Sequence, residues 1–274
     1  MATVPRASVC IPTFNAGRFI SATIQSVLGQ TLSDFELVIC DDASTDDTLE
    51  RINEFNDARL RVVQNATNTG LSANWNRAVR ECRAPYVKLL CQDDLIYPTC
   101  LEKQVAILSD PNHADIGLVC GQRDIIDESG RVRLHGRGRL PAGTTPGKDA
   151  IRQVVRSGTN PIGEPAAVMF RASDFNKAGP FDGSRPYMID VDFWCKVLSI
   201  SNLYAIPQSI CAFRLSRNAL SATMAKSQSR QARSFFASLA KAPNSPVTPT
   251  DTILGQVNAT LLAPARRLVY RLLF

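Results

Sequence analysis

Phe35-Glu36-Leu37-Val38-Ile39-Cys40-Asp41-Asp42-Ala43-Ser44-Thr45-Asp46 is the stretch that decides the fold. An apolar run stops on two adjacent acids and a polar loop, as a buried strand does where it reaches an open edge. Upstream, Ala7–Ile11 is another apolar run, closed by Pro12. Arg18–Leu28 then places Phe19, Ile20, Ile24, Val27 and Leu28 at helical spacing. Downstream, helices are expected over Asp47–Phe55, Leu71–Glu81 and Pro98–Leu108, and strands over Leu60–Gln64, Tyr86–Leu90 and Ile116–Cys120. This alternation predicts an α/β fold: a Rossmann-like, mostly parallel central sheet with helices on both faces. Right-handed crossovers bring the strand C-termini to one edge, where ligands bind in such sheets. Thr13 to Asn15, the pair Asp41-Asp42 and the pair Asp93-Asp94 all follow strands, so all are expected at that edge.

Composition narrows the classes. The 274 residues are 45% apolar and 20% charged, which excludes a disordered or collagen-like chain. No run of about 18 apolar residues predicts a transmembrane helix. Met1–Arg6 lacks the features of a signal peptide, so a cytoplasmic chain is expected. The eight cysteines include no Cys-x-x-Cys pair and are expected to be reduced core thiols. The net charge of +6 is unevenly spread: residues 193–274 carry ten Lys/Arg and one acid, Asp251. A basic C-terminal third predicts an anionic partner, either a phosphate-bearing substrate or a membrane surface. Nucleic acid is not expected, because the basic stretch has no reader motif and few interleaved aromatics.

The second half is less regular. A hairpin is expected over Gly121–His135, helices over Lys148–Arg156 and Met188–Ser199, and strands over Ala166–Phe170, Leu203–Ile206 and Ile210–Leu215. A basic helix is expected over residues 219–241, a Pro-rich linker over 242–251 and a separate C-terminal helix over 252–274.

Several side chains in this frame suit chemistry. A buried carboxylate at Asp42 can accept a hydrogen bond from an imide N–H of a base, whereas Ser44–Asp46 suit a helix cap. Adjacent carboxylates at Asp93-Asp94 repel each other, and a hard divalent cation such as Mg²⁺ or Mn²⁺ would relieve the repulsion; an acidic loop is the plainer alternative. Asp190 and Asp192 begin a helix, where the dipole alone favours acids. Glu164 either holds an acceptor hydroxyl or forms a salt bridge.

Cys10-Ile11-Pro12-Thr13-Phe14-Asn15, Cys40 through Asp46, Asn68-Thr69-Gly70 through Asn76 and Gln92-Asp93-Asp94 occur in that order. Together they resemble the family 2 glycosyltransferases of the GT-A fold. Gly163-Glu164-Pro165 with Phe170-Arg171, and Asp190-Val191-Asp192-Phe193-Trp194, are similar to that family's acceptor half. The resemblance implies a GT-A domain over residues 1–218, with a nucleotide-sugar half to about 121. It implies a metal-dependent, inverting transferase moving a sugar from a nucleotide-diphosphate donor to a glycan or lipid-linked acceptor in polysaccharide or glycolipid synthesis; Asp42 as acceptor of an imide N–H favours a UDP- or dTDP-sugar, with a GDP-sugar the alternative because guanine also presents an N–H beside a carbonyl. By resemblance, Pro12, Thr13 and Asn15 form the nucleotide loop, Asp42 is the base-reading acid with Asp41 beside it among the nucleotide-binding residues, and Asn68 and Gly70 lie beside the nucleotide. Asp93 lies on the sugar and ribose side, Asp94 binds the metal and Asp190 is the catalytic base.

Two departures stand out. Cys91 occupies a position where many members carry an acid, and a thiol is a poor ligand for a hard cation. Ser216 follows Phe213-Arg214-Leu215 where many members carry a histidine, leaving Arg214 and Arg217 to neutralise part of a diphosphate. His113 and His135 lie outside the motifs and are not expected to be catalytic. A sugar-nucleotide nucleotidyltransferase is the competing enzyme class, but it would carry a Gly-rich phosphate loop, which Pro12–Gly17 does not resemble. A non-catalytic nucleotide-sugar-binding protein is the other alternative, and it leaves Asp42, Asp94 and Asp190 unexplained. In the C-terminal tail, Leu261, Leu268, Val269, Leu272 and Leu273 fall along one apolar face beside Arg267 and Arg271. That pattern predicts a helix lying peripherally on the inner face of an anionic membrane; packing on the catalytic domain or a dimer contact is the alternative. Pro264 is expected to shorten that helix.

Overall fold

The computed structural model describes residues 4–136, 140–216 and 227–273, with residues 263–273 by backbone alone. Its first half alternates β1 (Ala7–Thr13), α1 (Ile20–Leu28), β2 (Phe35–Asp41), α2 (Thr48–Asn53), β3 (Leu60–Gln64), α3 (Leu71–Arg80) and β4 (Tyr86–Leu89). There follow β5 (Leu95–Ile96), α4 (Cys100–Ser109), β6 (Ile116–Ile126), β7 (Val132–Leu134), β8 (Gly143–Thr145) and α5 (Gly147–Ser157). The remainder is β9 (Val168–Arg171), α6 (Ala172–Ala178), α7 (Ile189–Leu198), β10 (Asn202–Arg214), α8 (Gln228–Lys241) and α9 (Pro249–Leu273).

One sheet runs in the order β3-β2-β1-β4-β9-β6-β10-β5, with β7 on β6 and β8 on β10. β3, β2, β1 and β4 are mutually parallel, as the alternation predicts. All seven residues of β1 are buried, because helices cover both faces of the sheet. The chain moves outward from β1 to β3, then returns to place β4 on the other side of β1. That reversal opens a crevice at the C-terminal ends of β1 and β4.

The other half of the sheet is mixed. β9 runs antiparallel between β4 and β6, while β6 and β10 pair in parallel. An apolar run such as Val168–Phe170 marks a buried strand but carries no direction. The two short strands expected at Leu203–Ile206 and Ile210–Leu215 are one strand, β10. Pro207 between them has no N–H for the ladder, and the register with β6 slips between Ile206 and Ser209 without ending the strand.

The C-terminal segment departs most from expectation. The linker predicted to end at 251 ends at Thr248. Asp251 Oδ2 accepts from Thr248 N at 2.9 Å, and Thr248 Oγ1 accepts from Asp251 N at 3.2 Å. This reciprocal cap, with Pro249 at the first helical position, starts α9. The helix continues past Pro264. Its first half is not separate. Asp251 is fully buried and pairs with Arg152 (2.9 Å) and Arg156 of α5. Asn258 Nδ2 donates to Arg156 O at 2.7 Å, and Ser229 Oγ of α8 donates to Ala259 O. Gly158 closes α5 at φ +64° and lets α9 approach: a Cβ there would meet Ala259 N at 2.4 Å. Gly158→Ala is therefore expected to cost about 1–2 kcal/mol from the left-handed backbone alone, with the clash against α9 adding to it. A lowered urea midpoint checks this, and an unchanged one would contradict both the left-handed backbone at Gly158 and the close approach of α9.

Candidate active site

A cavity of about 980 Å³ opens at the crevice between β1 and β4 and extends across to α7. Pro12, Thr13, Asn15, Asp42, Asn68, Gly70, Asp93 and Asp190 all line it. The fold thus brings together residues spread over nearly 180 positions.

The loops at the C-terminal ends of β1, β2 and β4 are clamped to each other. Asn15, at φ +49°, donates its N–H to Ser44 Oγ (2.9 Å) and accepts from Thr45 N through Oδ1 (2.9 Å). Gln92 accepts from Phe14 N at 2.8 Å. Asp41 does not line the cavity, contrary to expectation. It is fully buried, and its Oδ1 accepts from Ser44 Oγ at 2.5 Å and from Thr13 Oγ1 at 3.1 Å. Its Oδ2 accepts from Ser44 N at 3.0 Å. Asp41 holds the loop, and Asp42 faces the cavity. Ser44 therefore serves Asp41 rather than the helix; Asp46, one residue before the N-cap Asp47, accepts from Thr48 N at 3.1 Å, while Asp47 itself makes no side-chain capping bond.

Asp42 Oδ1 accepts from Asn65 Nδ2 (2.5 Å), Thr69 N (2.9 Å) and Thr69 Oγ1 (2.8 Å), and Oδ2 accepts from Gly70 N (2.9 Å). Burial works against its charge, but these bonds prevail and hold it below the usual carboxylate range. Gly70 adopts φ +88° where it makes this contact.

Asp93 lines the cavity and Asp94 lies beneath it, fully buried. Asp94 Oδ1 accepts from Arg214 N at 2.9 Å, while Oδ2 is buried with no hydrogen-bond partner. Arg214 Nε donates to the Asp93 carbonyl at 2.8 Å. Burial raises both carboxyls, and at Asp94 the adjacent Asp93 charge adds to it. Two such carboxylates with an orphaned oxygen fit a hard divalent cation, with phosphate oxygens and water supplying its other ligands. Among the described residues, no group of three or more His, Cys, Asp or Glu could hold a metal without such help. Cys91 also lines the cavity, and burial first, then Asp94 and Asp93, keep its thiol protonated.

On the opposite side, α7 presents Asp190. Phe193 and Trp194 anchor that helix among Phe170, Phe175 and Phe181, with the Phe181 and Phe193 ring centroids 4.1 Å apart. Asp190 Oδ2 accepts from Asn160 Nδ2 at 2.9 Å and Oδ1 from Val191 N at 2.8 Å. Burial, then the Glu164 charge, pushes Asp190 up to about 7. Asp192 instead pairs with Lys196 at 2.7 Å. Glu164 pairs with Arg123, the salt-bridge alternative. Asn160 and Arg123 carried no motif in the sequence; only proximity across the fold identifies them. Ser216 lines the cavity in place of the expected histidine, and Arg217 lies outside the described residues. Neither His113 nor His135 is among the lining residues.

The model of the glycosyl transferase family 2 matches residues 8–179. The chain is 31% identical over 200 residues to the putative glycosyltransferase EpsE of Bacillus subtilis, covering 70% of this chain and 66% of that one. It is 29% identical over 226 residues to WfgD of Escherichia coli, a UDP-Glc:alpha-D-GlcNAc-diphosphoundecaprenol beta-1,3-glucosyltransferase, covering 82% and 83%. The fold is similar to that of Staphylococcus aureus TarS 1–349 in complex with UDP-GlcNAc, with TM-score 0.70 at 16% identity over 93% of this chain and 71% of that one. It is also similar to the mannosyltransferase PcManGT from Pyrobaculum calidifontis in complex with GDP-Man and Mn²⁺, with TM-score 0.65 at 18% identity over 98% and 74%. The chain belongs to the family 2 glycosyltransferases and has their GT-A fold.

Asp190 binds its proton up to about pH 7 in the fold but only to about pH 4 when unfolded. The folded state holds more protons between those values, so stability falls as pH rises through them. Asp190→Asn is expected to raise the urea midpoint at pH 8, with the gain shrinking toward pH 4. A variant equally or less stable at pH 8 would contradict the burial cost assigned to Asp190.

Proposed function

We propose that the chain moves a sugar from a UDP- or dTDP-sugar to a hydroxyl of a glycan or lipid-linked acceptor, with inversion, in cell-surface polysaccharide or glycolipid synthesis. One observation carries this reading: Asp190, with its carboxyl raised to about 7, shares a cavity with Asp42 and Asp93. A proton acceptor near neutrality suits abstraction from a hydroxyl as that hydroxyl attacks. The Cys91 thiol is protonated and no nucleophile is needed, which favours a single displacement from the face opposite the leaving diphosphate. Pro12, Thr13, Asn15, Asn68 and Gly70 form the nucleotide side, and Asp42 faces the base. Asp41 supports that loop from beneath. Asp93 and Asp94 would hold a divalent cation, which supplies neutralisation of the diphosphate charge when bound.

The relatives support a lipid-linked acceptor, since WfgD acts on a diphosphoundecaprenol-linked sugar by its name. Ile253, Leu254, Val257 and Leu261 are exposed along α9, and Arg266, Arg267 and Arg271 follow in the sequence. This stripe supports peripheral binding to an anionic membrane. Among the described residues no helix is long and apolar enough to cross one.

Transfer with a panel of nucleotide-sugars tests the reading. UDP- or dTDP-sugars are expected to serve, and excess chelator or Asp94→Asn to abolish transfer; use of an ADP-sugar alone would contradict the assignment of Asp42. Asp190→Asn should lower kcat by about 10²–10⁴-fold while nucleotide affinity stays near wild type. The wild-type rate is expected to rise with pH through about 7. Glu164→Gln should move that limb to lower pH, because it removes a negative charge facing Asp190 and frees Arg123. A pH profile indifferent to Glu164 would leave Asp190 without its assigned role.

A further inference from the structure

Helix α9 faces two ways. Leu261 is 68% exposed, while the next residue, Leu262, lines the cavity. Ala232 of α8 stands in the same wall, with Met188 and Ile189 at the entry to α7. These four side chains offer a sugar no hydrogen bonds; the cavity's carboxylates and amides lie on the strand-end side and around Asp190. Both helices lie beyond residues 8–179, the span matched by the family model.

The same two helices brace Asp190 from both approaches. Gln231 Oε1 of α8 accepts from Tyr187 N at 3.1 Å, pinning the turn that leads into α7. Asp251 pairs with Arg152 and Arg156 of α5, and the chain leaving α5 carries Asn160, the donor to Asp190.

Resting on the glycosyltransferase reading above, we propose that α8 and α9 form an apolar acceptor wall. It takes the chain segment next to the diphosphate of a polyprenyl-linked acceptor, and Asp251 is the positioning residue that docks it. Neighbouring helical residues point about 100° apart, and a helix is about 10 Å across. An acceptor whose tail stays in a membrane against Leu261 therefore has only one helix to round before reaching Leu262. The reacting hydroxyl then lies on the Asp190 side, with the apolar chain trailing toward the wall.

The test uses the full chain and two acceptors bearing the same sugar diphosphate, one on a long polyprenyl chain and one on a methyl group. Leu262→Asp is expected to reduce the KM preference for the long chain about tenfold or more, the scale set by burying one leucine. Asp251→Asn should reduce it in the same direction, and Asp251→Glu should retain more of it. UDP affinity and melting temperature report that each variant is folded. A preference that survives Leu262→Asp, or equal losses with both acceptors, overturns the proposal. A polyprenyl diphosphate-sugar with a diazirine near the diphosphate gives a readout without turnover. Labelling of residues 228–241 and 249–262 supports the wall, and labelling confined elsewhere overturns it. Failure of the wild type to transfer to either acceptor would instead sink the glycosyltransferase reading, while the labelling still judges the wall.

Discussion

Carboxylates gathered in one cavity are the constraint on which the rest of this structure depends. Asp42, the adjacent pair Asp93 and Asp94, Glu164 and Asp190 converge from four separate segments. Each would be costly to bury charged without a partner. The protein resolves each case differently. Asp42 is satisfied by amides and hydroxyls and stays ionised, whereas Glu164 is paired with Arg123. Asp190 receives two donors but no cation of its own and rises to about 7. Asp94 keeps an oxygen with no partner. The unequal treatment leaves one carboxylate ionised, one buried pair with an unpartnered oxygen, and one carboxyl raised to about 7.

Holding those charges apart requires rigid supports, and different parts of the chain supply them. At the ends of β1, β2 and β4 the supports are short polar clamps, Asn15 to Ser44 and Thr45, Gln92 to Phe14, and Asp41 to Thr13 and Ser44. Around Asp190 the support is apolar: Phe170, Phe175, Phe181, Phe193 and Trp194 pack as one cluster that fixes α7 against β9. Polar clamps suit loops that approach a polar ligand. Ring packing suits a helix whose first turn must aim one carboxylate.

The C-terminal helices add a third support from outside the region shared with the family model. Asp251 is the last acid in the chain and sits fully buried between Arg152 and Arg156 of α5, so it docks α9 on the domain rather than offsetting the basic residues of the C-terminal third. The sequence of α9 carries apolar residues on more than one face. The structure separates them into an inner set against α5, α8 and the cavity, and an outer set left exposed.

Much of this was legible in the sequence. The strand-helix alternation of residues 7–120 specified the parallel half of the sheet, because apolar runs of strand length ending in polar loops have few other ways to be buried. The acids after β2 and β4 followed from that pattern, and the ordered motifs, together with Asp190, from the resemblance. The tertiary structure decided the rest. Asp41 and Asp42 are adjacent and chemically alike, and only the alternation of a strand end turns one inward to Thr13 and the other to the cavity. Strand direction cannot be read from an apolar run, so β9 had to be seen to be antiparallel. Asn160, Arg123 and Gln231 act through contacts with residues 30 or more positions away, which no local pattern encodes. The Thr248-Pro249-Thr250-Asp251 cap is a local pattern that the linker reading over residues 242–251 passed over, and its docking on Arg152 and Arg156 has no local pattern at all: a buried ion pair arises from two segments meeting in space, and sequence spacing carries no measure of that distance.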